Sequence, residues 1–108
     1  MYIRQVLRID EKFKTTELLP DNGRKSFYRK ALIHETAIGI FLQSYETIVA
    51  MIDNQGNFHK LWSGYSATTS NHISAFMRLY GLHAIGKKEW LNLPLLETLP
   101  QRPYEKII

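Results

Sequence analysis

The chain of 108 residues is 44% hydrophobic and 12% aromatic, enough to bury one core in a single domain covering 1–108. Lacking cysteine, it offers no disulfide, thiolate nucleophile or cysteine zinc site; with no run of ~20 apolar residues and no long apolar leader after Met1, it reads as soluble, intracellular and without a membrane partner. The net charge of +4 sits wholly in residues 1–30, where eight bases face four acids, so a nucleic acid or an acidic protein surface suits that end, and mimicry of acidic DNA is excluded.

Residues 2–9 alternate, with Ile3, Leu7 and Ile9 on the greasier side, and predict a first strand. Glu11 to Lys25 turns polar and passes through Pro20-Asp21-Asn22-Gly23, the chemistry of a tight turn, which predicts a loop. Residues 26–35 and 38–44 are rich in aromatic and branched side chains around Thr36-Ala37 and predict a hairpin. Thr47 to Asp53 is apolar on both alternating faces, as expected of the sheet's middle strand covered on both sides, or of a sheet face shared in a homodimer. After turn chemistry at Asp53 to Asn57, alternation resumes over 57–62, with Phe58, Lys60 and Trp62 on one face and His59 and Leu61 on the other. Successive strands with short links give an antiparallel meander of four or five strands over 2–62.

The segment Leu61 to Ile73 reads as a structural hinge. Trp62 and Tyr65 flank Gly64, which tolerates positive φ, and Ser66, Thr68 and Thr69 offer hydroxyls to the orphan N–H groups of a helix start. Ile73, Phe76, Met77 and Tyr80 fall at i, i+3, i+4 and i+7, and Gly81 is a stop, so a helix is predicted over 69–80 with its stripe on the sheet. A second helix over 87–93 packs Trp90, Leu91 and Leu93 and ends before Pro94. Pro94, Pro100 and Pro103 make 94–108 an extended tail in which Leu95, Leu96, Leu99 and Tyr104 argue for docking. The fold class is α+β: an antiparallel four- to five-stranded meander followed by two C-terminal helices packed on one sheet face.

Candidate chemistry is sparse. His34 and Glu35 are adjacent but in a strand point to opposite faces, so they cannot cooperate. His72, near the hydroxyls of Ser66, Thr68 and Thr69, is the better base for an RNA-cleaving enzyme; the competing reading places it at the edge of the apolar stripe, hydrogen-bonded to a hinge carbonyl. The four histidines lack ligand spacing, the six glycines form no phosphate loop and no serine lies in a nucleophile elbow, so neither metal nor cofactor is expected and the function reads as non-enzymatic. Bases interleaved with aromatics point to surface contact instead: Arg4, Arg8, Arg24, Lys25, Tyr28, Arg29 and Lys30 at the basic end, and Lys60 alternating with Phe58 and Trp62. A plain core would also use the latter pattern, with Phe58 and Trp62 inward and Lys60 snorkelling to the rim.

The string Ser44-Tyr45-x-Thr47-Ile48-Val49-Ala50-x-Ile52-Asp53, then Leu61-Trp62-x-Gly64-Tyr65-Ser66-x-Thr68-Thr69-x-x-His72-Ile73-x-x-Phe76, then Lys87-Lys88-x-Trp90, resembles a small uncharacterised domain recurrent in phages, plasmids and other mobile elements of low-GC Gram-positive bacteria. The resemblance spans roughly residues 26–93 and brings no established catalytic residue. In size, charge layout and domain content the chain is also similar to type II anti-CRISPR proteins. That implies a mobile-element-encoded stoichiometric inhibitor, acting in the cytoplasm of a bacterial host cell, which binds a CRISPR effector nuclease and interferes with guide-RNA assembly or activity. The basic N-terminal segment and the exposed sheet face are then the expected contacts. The other expectation is a small RNA- or DNA-binding accessory protein using Arg24 to Lys30 and neighbouring aromatics.

Overall fold

The computed structural model describes residues 12–20, 27 and 30–96. Within them five strands run β1 (Lys12–Glu17), β2 (Ala31–Thr36), β3 (Gly39–Ser44), β4 (Thr47–Asp53) and β5 (Phe58–Lys60), followed by helices α1 (Ala67–Leu79) and α2 (Lys87–Asn92). The strands form one antiparallel sheet in the order β1-β2-β3-β4-β5, and the fold is α+β as its periodicities predict.

The boundaries correct several expectations. The strand predicted over 2–9 lies outside the described residues, whereas the predicted loop of 11–25 contains β1. Lys-Phe-Lys-Thr-Thr-Glu is a polar strand, and the end of a sheet is where charged strands are tolerated: Lys14, Thr15 and Thr16 are exposed while the backbone pairs with β2. The predicted strand of 26–35 begins only at Ala31. The sheet's centre is β3 and not β4, because a sequential meander puts its third strand in the middle. Strand β4 is nonetheless interior, covered on its far side by β5, beside which Leu95 and Leu96 dock: Leu95 bridges in parallel to Lys60, and Leu96 N–H donates to the Lys60 carbonyl at 2.8 Å.

Three tight links set the register. Thr36 Oγ1 donates to the Gly39 carbonyl and accepts from Ile38 N–H across the β2–β3 turn. Gly39 has φ of 146°, and an added Cβ would meet the Ile52 carbonyl oxygen at 2.5 Å, so only glycine fits. Tyr45 and Glu46 alone link β3 to β4. Asp53 closes the β4–β5 hairpin by accepting from the N–H groups of Gln55 and Asn57, both at 2.9 Å, with its other oxygen 2.8 Å from His59 Nε2.

The sheet buries both faces. On one, Ala31, Ile33, Leu42, Val49, Ala50 and Ile52 meet Ile73, Ala75, Phe76 and Met77 of α1 and Trp90 of α2. On the other, Ile38, Phe41, Ile48, Met51 and Leu61 cluster, with Leu96 against them. A bulge at Val49, between the Gln43–Ile48 and Leu42–Ala50 pairs, turns both Val49 and Ala50 toward the helices. The two-sided apolar pattern of β4 is therefore accounted for within one copy, where Phe41 and Met51 are fully buried.

Candidate functional site

The hydroxyl-rich helix start resolves into a cap and a buried latch. Ser66 is the N-cap of α1, its Oγ accepting from Thr69 N–H at 3.1 Å; Thr68 is exposed and caps nothing. Thr69 turns inward, its hydroxyl 2.8 Å from Ser44 Oγ at the end of β3, and Ser44 Oγ lies 2.8 Å from His72 Nδ1. This corrects the expected hinge-carbonyl bond: His72 is held by a strand hydroxyl and is 0% exposed. Its Nε2 is buried with no hydrogen-bond partner, and the imidazole ring centroid lies 4.5 Å from that of Phe27, edge-on, and 5.9 Å from that of Tyr45. Burial, aided by the Lys30 charge, lowers the His72 pKa from 6.5 to about 4, so the ring is neutral at physiological pH. A neutral imidazole touching a serine has the composition of a base and nucleophile, but both are sealed from any substrate here.

Lys60 is also withdrawn from the surface. It is 6% exposed, and its Nζ donates to the carbonyls of Trp90 at 2.9 Å and Leu93 at 3.1 Å, 5.1 Å from the Trp90 ring centroid. The expected nucleic-acid contact is thus a structural cation, because its face of β5 is the one that α2 covers. Gly64 is corrected in its reason. It does not adopt positive φ; a Cβ there would collide with the Trp62 indole, and its carbonyl accepts from Trp90 Nε1–H at 2.8 Å.

Among the other histidines, His34 is buried and joins three strands, Nδ1 lying 2.9 Å from Thr15 Oγ1 and Nε2 2.8 Å from Gln43 Oε1. Because Gln43 Nε2 donates to the Tyr45 carbonyl, Oε1 is the acceptor and His34 Nε2 carries a hydrogen. Asp53 is held below the usual carboxylate range: burial pushes it up, but the His59 hydrogen bond and the Asn57 and Gln55 N–H groups outweigh that. Among the described residues no group of three His, Asp or Glu side chains is placed to hold a metal, and no helix is long and apolar enough to cross a membrane.

The accessible chemistry is aromatic and cationic. Arg4, Arg8, Arg24, Lys25, Tyr28 and Arg29 lie outside the described residues, but Lys30 is exposed, with Nζ 5.3 Å from the Tyr45 ring centroid. Lys87 Nζ stands 5.0 Å from the ring centroid of Tyr65. Tyr65 also rims a small recess shared with Trp62, Ser70, Ile73 and Trp90. A wider concavity of about 610 Å³, open to solvent, is lined by Glu17, Leu18, Leu19, Ala75, Arg78 and Leu79, and holds neither histidine nor hydroxyl. Tyr45 and Lys87 escaped the sequence-based site. The available signal for Tyr45 was a two-residue link between strands, a position that demands unusual backbone angles.

No curated protein and no solved structure matches the chain. The family of unknown function DUF8033 matches residues 15–92, from within β1 to the last residue of α2, and the chain belongs to that family.

Proposed function

We propose that the protein is a non-catalytic binding module whose partner is a type II CRISPR effector nuclease, and that it obstructs assembly of the nuclease with its guide RNA. The observation that carries the binding half is the closure of His72: it is bonded to a serine hydroxyl yet wholly buried, while Lys30, Tyr45, Tyr65 and Lys87 are exposed. The partner half is supported by the motif string from Ser44 to Trp90 and by the basic N-terminal end. Covering a surface that guide RNA needs requires no bond making, only complementary charge and shape.

Order of addition tests the reading. Protein mixed with nuclease before the guide RNA is expected to abolish DNA cleavage at near-stoichiometric amounts, and to do far less once nuclease and guide are assembled. Full cleavage in both orders with the protein in excess overturns it. Exposed Lys30 beside Tyr45 favours a second reading, a small RNA- or DNA-binding accessory protein. Steeply salt-dependent nucleic-acid binding by the isolated protein, without capture of the nuclease, selects that one.

A further inference from the structure

The side chains of Tyr45 and Tyr65 are exposed, at 45% and 37%, and each carries a lysine ammonium over its ring. Folding alone does not call for Tyr45. It has φ of 56°, the left-handed region that disfavours bulky residues, in a two-residue hairpin link where Asn or Gly would sit without strain. Strain kept at an exposed aromatic points to a use for the ring.

The surroundings hold that ring as a platform. Tyr45 N–H donates to the Lys30 carbonyl at 2.7 Å, and the Tyr45 carbonyl accepts from Gln43 Nε2 at 2.7 Å. His72 backs the ring 5.9 Å away at a 40° tilt, and His72 is itself fixed by Ser44. The Lys30 ammonium over the ring is carried on a flexible, exposed stem. Tyr65 repeats the arrangement at the start of α1, with Lys87 over it and exposed Lys88 next in sequence. The first turn of α1 holds no acid; the acids on the flanking elements are Glu46, beside Tyr45, and Glu89, whose Oε1 accepts from Gly86 N–H.

We infer that the Tyr45–Lys30 and Tyr65–Lys87 pairs are two stacking platforms of one surface for single-stranded nucleic acid. A base takes the place of the ammonium over each ring, and the displaced ammonium meets a backbone phosphate. Every base has a π-face and every nucleotide a phosphate, so the two groups of each pair match the two groups a nucleotide offers, without regard to sequence. The inference rests on the binding-module reading and deepens it, because the chain would then contact guide RNA itself and not the nuclease alone.

The test is fluorescence anisotropy of the full chain with a labelled oligouridylate of about 12 nucleotides, alongside a duplex of equal length, from about 50 to 200 mM salt. Single-strand binding that weakens with salt is expected. Tyr45→Asn and Tyr65→Ser should each weaken it about tenfold, a typical loss for one stacked base, and Tyr45→Phe should not. Lys30→Gln and Lys87→Gln should each lower the salt slope by about one phosphate contact. Melting curves control for folding: Tyr45→Asn should melt no lower than the parent, and should it unfold, the exposed Tyr65→Ser carries the test. Absence of single-strand binding at the lowest salt, or unchanged binding by Tyr65→Ser, overturns the inference. Capture of guide-free nuclease is measured in parallel. Capture without RNA binding overturns the platforms and keeps the inhibitor; RNA binding without capture does the reverse.

Discussion

His72 shows how one side chain ties stability to solution conditions. Its ring is fully buried and unpaired at Nε2, and burial together with the Lys30 charge lowers its pKa from 6.5 to about 4. Between those values the unfolded chain binds a proton that the folded chain refuses, so stability is complete above about pH 6.5 and declines as pH falls toward 4. The full loss is about 3 kcal/mol. Urea unfolding at pH 7 and near pH 4.5 measures it, and His72→Leu should flatten the difference, since Ser44 keeps Thr69 as partner. An equally steep fall in the His72→Leu chain would assign the pH dependence elsewhere. Asp53 does not confuse the window: its lowered pKa contributes stability that is present above 3.8 and lost only as pH falls through the still lower folded value.

At the scale of elements, α2 depends on β5. A helix of 6 residues has little stability of its own, and its C-terminal carbonyls, at Trp90 and Leu93, find their donor in the Lys60 ammonium. Lys60→Met keeps the apolar stem, removes the donor, strands the Leu93 carbonyl and leaves the Trp90 carbonyl only the Leu93 N–H at 3.2 Å, which should cost about 2 kcal/mol and speed amide exchange across α2. Nucleic-acid binding should not change; weaker binding at unchanged stability would return Lys60 to the surface role its spacing suggests. The pattern in β5 was legible because alternation is local: Phe58, Lys60 and Trp62 do share the helix-facing side. What the ammonium does there was not, since its partners lie 30 and 33 residues further on. Helix α1 was legible from Ile73 to its glycine stop, because stripe and terminator belong to one stretch of chain. Strand β1 was missed because hydrophobic period is the signal for strands, and a polar strand at a sheet end carries little of it.

Across the whole molecule, the sheet is the wall between two apolar clusters, and β4 belongs to both. Ile48 and Met51 pack on one side while Val49, Ala50 and Ile52 pack on the other, so β4 cannot leave one cluster without leaving its neighbour. The two sides should therefore unfold as one cooperative unit. Both tryptophans, Trp62 and Trp90, sit with the helix-side cluster, and Phe41 sits in the other. Tryptophan fluorescence thus reports one face, while far-ultraviolet circular dichroism reports all strands and helices. Phe41→Leu, a reduction at a fully buried site with no tryptophan in its cluster, should lower stability by about 1–2 kcal/mol. If the wall transmits the loss, urea midpoints from fluorescence and dichroism move together by the same amount. If the faces melt independently, the dichroism midpoint drops while fluorescence holds at its original value, and the cooperative reading of the sheet fails.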